Sequence, residues 1–152
     1  MKLHSYLDRM GVPYQISHHD TAYTAQQLAQ AEHVPGMQVI KPVLVEADGR
    51  PILCALPAPC KIDLDRLRDR LHARQVRLAD ESRMAELFDD CEPGAEPPIG
   101  LLWGVPTVMD QSLCMDDHVT FQAGTHQEAV TMRLEDFQRI AQPDVIDFSK
   151  PA

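Results

Sequence analysis

The sequence predicts an α+β fold in a single domain over residues 1–152: a curved, mixed but largely antiparallel β-sheet with α-helices packed around it. Patterns with helical period cluster early in the chain, and strand-like runs dominate its later part. The strand signals come with hairpin turns such as Asp48-Gly49 rather than regular strand–helix–strand alternation. At 152 residues, 44% of them hydrophobic and 24% charged, the chain is long enough to bury a core of its own.

Taken in order, Leu3, Tyr6, Leu7 and Met10 have the i, i+3, i+4, i+7 spacing of an amphipathic helix, and Gly11 stands where such a helix stops. Tyr14 and Ile16 alternate with polar neighbours in a short strand ending at His18-His19. Thr24-Ala-Gln-Gln27 has a capping-box pattern and opens a second helix with Ala25, Leu28 and Ala29 on its apolar face; Val34-Pro35-Gly36 ends it. A strand over Met37–Val45 turns at Asp48-Gly49 into a partner over Pro51–Leu56. Asp63 is the N-cap of a helix burying Leu64, Leu67 and Leu71. Val76–Leu78 is a short strand, and Asp80 opens a helix packing Met84, Leu87 and Phe88. Strand-like runs follow at Leu101–Trp103, Val119–Phe121 and Ala129–Met132, then a last helix on Leu134, Phe137, Ile140 and Ala141. Pro143 begins a tail expected to be irregular.

Composition excludes several classes. The formal net charge of −9 argues against a protein that coats duplex DNA. No apolar run approaches membrane-spanning length and the N-terminus lacks a signal-peptide pattern, so the expected compartment is the cytoplasm. Cys54, Cys60, Cys91 and Cys114 form no C-x-x-C pair and read as free thiols rather than disulfides or a metal site. His18, His19 and His33 lie on separate elements without an i, i+4 pair, so no metal and no cofactor is expected.

Three features carry chemistry. Residues 91–126 hold two Gly/Pro-rich loops, Gly94-Ala-Glu-Pro-Pro98-Ile99-Gly100 and Gly124-Thr125-His126, in which Gly permits close backbone approach and Pro stiffens the chain. Upstream, Lys41 shares a strand face with Val39, Val43 and Val45; an ammonium in an apolar row either snorkels to solvent or meets a partner in a cavity. Pro42 removes a backbone donor beside it, as at a sheet edge or a ligand-lined opening. Arg66, Arg70 and Arg74 form a basic stripe at i, i+4, i+8, which is either a solvated face laced with ion pairs or a contact for phosphates. No G-x-S-x-G elbow or Cys-His-Asp arrangement is evident.

These residues resemble the YbaK/prolyl-tRNA synthetase-associated family. The resemblance runs from about the first strand to the last helix. Its anchors are Thr24, Lys41, the G-x-x-x-P loop as Gly94–Pro98, the following Ile99-Gly100, Asp110, and the Ala123-Gly124 turn. It implies a barrel-like curved sheet and a hydrolase that deacylates mischarged aminoacyl-tRNA at the ester on the 3′-terminal adenosine. It places Lys41 near the scissile ester as the catalytic residue. Substrate binding falls to Gly94, Pro98, Ile99, Gly100, Asp110, Gly124, Thr125 and His126, with backbone donors from the loop stabilising the oxyanion. The implied partners are the acceptor end of aminoacyl-tRNA, with Arg66, Arg70 and Arg74 on the acceptor stem, and an aminoacyl-tRNA synthetase. The alternative is a non-enzymatic module holding an aminoacyl or nucleotide ligand in the same cleft.

Overall fold

The computed structural model of the chain describes residues 2–152. Helix α1 (Lys2–Met10) buries Leu3 and Leu7 and ends at Gly11, as its spacing predicts. After β1 (Gln15–His18) comes α2 (Ala25–Glu32), where Thr24 Oγ1 accepts from the Gln27 N–H at 3.1 Å. The return bond runs from the Tyr23 N–H to Gln27 Oε1 at 2.8 Å, one residue upstream of a strict capping box. Residues Gly36–Gln38 wind into a 3-10 turn, so the central strand starts later than Met37, as β2 (Ile40–Ala47). It pairs antiparallel with β3 (Arg50–Pro57) through the expected Asp48-Gly49 hairpin, in register from Ile40 opposite Pro57 to Ala47 opposite Arg50.

A short β4 (Cys60–Ile62) precedes α3 (Leu64–Leu71), whose N-cap Asp63 accepts from the Arg66 N–H and whose Leu67 is fully buried. Then come β5 (Val76–Leu78) and α4 (Glu81–Leu87). The expected strand at Leu101–Trp103 is instead a 3-10 turn over Gly100–Trp103. There the Val105 N–H closes the turn on the Gly100 carbonyl at 2.9 Å, and Trp103 packs its ring on Phe88 at 4.7 Å and donates its indole N–H to Asp90. The chain continues through β6 (Thr107–Asp110), a 3-10 turn, β7 (His118–Gln122), β8 (Glu128–Arg133) and α5 (Leu134–Ala141). The tail is not irregular. It forms β9 (Asp144–Ile146) and β10 (Ser149–Pro151), with Phe148 between them fully buried as the anchor.

The predicted single curved sheet is built from three. The largest is mixed, in the order β5-β2-β3-β6-β9, antiparallel on the β5/β2/β3 side and parallel from β3 to β9. The antiparallel β1-β8-β7 sheet joins it through a bridge between Val39 and Thr120, and β10 pairs antiparallel with β4. Alternation along β2 sorts the core. Ile40 faces Phe121, Phe137 and α1; Val43 and Val45 face Leu67 and Phe148. Lys41 takes the second face, with the valines, as its spacing predicts.

Candidate active site

The two Gly/Pro-rich loops are tied together by backbone hydrogen bonds. The Glu92 N–H donates to the Gly124 carbonyl at 2.8 Å, and the Gly124 N–H returns a bond to the Ala95 carbonyl at 2.8 Å. Glu92 Oε1 also accepts from the His126 N–H at 2.9 Å. The segment before α2 closes the knot. The Ala22 carbonyl meets His126 Nδ1 at 3.0 Å and accepts from the Gln122 amide at 2.7 Å, while the Tyr23 ring tilts against the His126 ring at 4.9 Å. His126 Nε2 lies 2.8 Å from the Pro93 carbonyl. His126 is therefore buried between three segments, a position that a residue following a turn does not advertise in sequence.

Two glycines are required by this packing. Gly94 holds φ +87°, a left-handed conformation that strains any side chain, and a Cβ there would touch the His126 ring at 3.4 Å. At Gly100 an added Cβ would come within 2.4 Å of the Val105 carbonyl oxygen. The Gly100 N–H is spent on Thr107 Oγ1, and the Ile99 N–H on the Pro97 carbonyl. Ile99 is fully buried in the main core, and Pro98 is buried beside it. The loop N–H groups expected as oxyanion donors are thus largely bonded within the fold.

Beside the knot lies a cleft of about 370 Å³, between residues 42–44 of β2 and residues 78–81 leading into α4, with Gly94 and Glu96 in its lining. It exists because the ladder between β2 and β5 stops: Val45 pairs with Leu78, the Ala79 N–H reaches the Leu44 carbonyl, and the two chains then part. Leu44 bonds toward β5, so by alternation the nitrogen of Pro42 faces the same open side. The missing donor costs the sheet nothing there. Lys41 precedes this wall. Its side chain is half-buried on the Val43 face, and Nζ donates to the Cys60 carbonyl of β4. Burial draws its pKa below the ordinary lysine value.

Glu96, in the same loop but without a role in the sequence pattern, is 3% exposed. Its two oxygens accept from the Gly94 N–H at 2.9 and 3.2 Å, and among the described residues no cationic group lies within ion-pair distance of it. Burial raises its pKa, partly offset by the Gly94 N–H, its own N–H and His126, while Glu81 nearby adds to the rise.

A family model described as an aminoacyl-tRNA editing domain matches residues 19–140. The chain belongs to the aminoacyl-tRNA editing domain family. It is thus a hydrolase of the editing deacylase class. It is 24% identical to the multifunctional Ser/Thr-tRNA deacylase ProXp-y of Escherichia coli K12, over 99% of this chain and 93% of that one. It is 31% identical to part of the proline–tRNA ligase of Gloeobacter violaceus, covering 70% of this chain but only 18% of the ligase. A crystal structure described as a candidate trans-editing enzyme for prolyl-tRNA synthetase superposes with a TM-score of 0.86 at 18% identity, over 98% of this chain and 95% of that one, which supports the fold.

The editing domain does not gather every residue singled out in the sequence. Asp110, at the end of β6, is buried and fully occupied. Oδ1 accepts from the Phe148 and Ser149 N–H groups at 2.8 and 2.9 Å; Oδ2 accepts from Ser149 Oγ at 2.8 Å, from the Ser112 N–H at 3.1 Å and from the Ser112 hydroxyl. Burial alone would raise its pKa, but these donors more than offset it and hold the carboxyl below its ordinary range. Arg66 Nη1 reaches Asp147 at 3.1 Å and the Ser149 carbonyl at 3.0 Å, and Arg70 approaches Asp147 at 3.9 Å. The stripe therefore spends part of its charge on the tail, and the backbone N–H of Arg74 bonds to Asp48. All four cysteines are free: Cys54 and Cys60 are buried, Cys91 is half-buried, and Cys114 is exposed. Burial, with Asp90 and Glu96 nearby, pushes the Cys91 thiol up to about 12. His18, His19 and His33 line one wide surface hollow with Asp20. Among the described residues no three His, Cys, Asp or Glu side chains are placed to hold a metal ion, and no helix is long and apolar enough to cross a membrane.

Proposed function

We propose that the chain acts in trans on mischarged tRNA, hydrolysing the ester that joins the amino acid to the 3′-terminal adenosine. The observation that carries this reading is the cleft itself, floored by the G-x-x-x-P loop and bordered by the strand that holds Lys41. The terminal ribose brings a vicinal hydroxyl, so the protein has to position ester and water and to stabilise the developing oxyanion without a nucleophile of its own. The loop N–H groups being largely committed, the charge that meets the oxyanion or an adjacent phosphate is the Lys41 ammonium, swung from the Cys60 carbonyl. Gly94 lines the cleft directly, while Pro98, Ile99, Gly100, Gly124, Thr125 and His126 hold the two loops in the shape that limits the amino acid that enters; Asp110 acts at a distance, by fastening β6 to the tail. Arg66, Arg70 and Arg74 meet the acceptor stem. The synthetase whose errors are corrected is the natural partner, since a related domain is part of a proline–tRNA ligase.

A Ser/Thr-tRNA deacylase among the relatives makes seryl and threonyl esters the first to test. The decisive experiment is a deacylation panel of mischarged seryl-, threonyl- and alanyl-tRNA with the purified protein, repeated with chelator and after thiol alkylation. Turnover of at least one ester, unchanged by either treatment, is expected. Tight binding of the esters without turnover would favour the non-enzymatic module. Loss under chelation, restored by zinc, would refute the metal-free mechanism.

A further inference from the structure

Glu96 presents a problem that the fold does not solve internally. It is a carboxylate 97% removed from solvent on the lining of the cleft, and a buried anion is retained at a cost unless something neutralises it. Within the fold its oxygens take the Gly94 N–H, and among the described residues it has no direct ion-pair partner, His126 acting on it only through space. The nearest cationic candidate, His126, has both ring nitrogens directed at the Ala22 and Pro93 carbonyls rather than at Glu96. Asp80 and Glu81 line the same cleft, so a cation entering it meets more than one acidic group. A metal ion is a poor occupant, since no set of ligands converges there among the described residues. A compact organic cation with hydrogens to donate suits a carboxylate that has acceptor positions left over.

Every aminoacyl-tRNA carries such a cation beside its ester, the α-ammonium. Resting on the deacylase reading above, we propose that Glu96 is the specificity residue that reads this α-ammonium. It selects free aminoacyl esters against N-acylated and α-hydroxy esters of the same tRNA. Peptidyl-tRNA, whose α-nitrogen is an amide, is then a non-substrate because it leaves the buried carboxylate without a cationic partner. Glu96 breaks no bond; it fixes the substrate by the group one carbon from the scissile carbonyl.

The test uses whichever of seryl-, threonyl- and alanyl-tRNA the wild-type protein cleaves fastest. The same charged tRNA is N-acetylated in one portion and deaminated with nitrous acid to the α-hydroxy ester in another. Wild type should favour the amino ester over the hydroxy ester by about 10- to 100-fold in kcat/KM, as expected for one charge-assisted hydrogen bond. Glu96→Gln keeps the shape and an acceptor for the Gly94 N–H, and should bring that ratio close to one by slowing only the amino ester. Glu96→Asp should recover part of the preference. An unchanged ratio in Glu96→Gln, or an equal loss on both esters, overturns the inference while leaving deacylation intact. If wild type cleaves none of the esters, the deacylase reading itself fails, and this one with it. Thermal melts separate misfolding from lost recognition: Glu96→Gln should melt no lower than wild type at neutral pH.

Discussion

Burial holds the Lys41 ammonium below the ordinary lysine range, and its partner in the fold is a neutral carbonyl rather than an anion. A charge kept under those terms is suited to meeting charge that develops only during reaction. Lys41→Ala and Lys41→Met should both cut deacylation by about two or more orders of magnitude, the scale of losing one oxyanion donor. A folded Lys41→Met protein with near wild-type turnover would return the lysine to a structural role. The fold should tolerate the change. For a base whose folded pKa is depressed, the unfolded chain binds more protons between the two values, so stability rises with pH across that window. Lys41→Met should therefore melt at or above wild type near neutrality, and the difference should fade as pH approaches about 10, where the unfolded lysine also loses its proton. Glu96 obeys the opposite sign. Its raised pKa favours the fold at low pH, and that contribution is lost as pH climbs through the folded value. Glu96 in the cleft and Lys41 beside it thus both cost stability at the pH where they would act.

At the scale of elements, the tail is a structural strap. Asp110 on β6 gathers Phe148 and Ser149, Arg66 on α3 holds Asp147, and β10 closes on β4, whose Cys60 carbonyl receives Lys41. Asp110→Asn turns an amide toward donors that a carboxylate accepts, and should cost about 2–4 kcal/mol in chemical denaturation near neutrality. Because the folded pKa is depressed, the wild-type advantage is present above the unfolded value and is lost as pH falls through the folded one. The gap between the two proteins should begin to close below about pH 4, the unfolded value, and go on closing as the pH falls further; a constant gap down to about pH 2 would mean that shape rather than charge is at issue. The stripe on α3 divides in the same way. Arg66 is committed to the tail, so Arg70→Glu with Arg74→Glu, Arg66 retained, is the cleaner variant. It should raise KM for tRNA by at least about tenfold and flatten the salt dependence, with little change in kcat. An unchanged KM would leave the stripe as a solvated face.

Across the whole molecule, what the sequence made legible is what repeats. The amphipathic helices, the Asp48-Gly49 hairpin and the valine row of β2 announce themselves through period and turn chemistry, and each forms as expected. Lys41 stood out by breaking such a row. The strands β4, β9 and β10 are three residues long and offer no period; they exist because Phe148 is buried and Asp110 collects the backbone around it. Leu101–Trp103 carries a strand-like composition, but glycines on both sides and the Phe88 contact bend it into a turn. Glu96 was invisible for a related reason: a glutamate in a loop is ordinarily solvated, and only the knot between residues 92–96 and 124–126 encloses it. The distribution of thiols has a practical consequence. Two cysteines are buried and a third is half-buried with its pKa raised to about 12, so Cys114, the exposed one, is where a maleimide dye attaches to the unmodified sequence. It sits on the turn after β6, within the electrostatic reach of Asp110. A fluorophore there would watch the strap loosen in acid, molecule by molecule, without a single engineered residue.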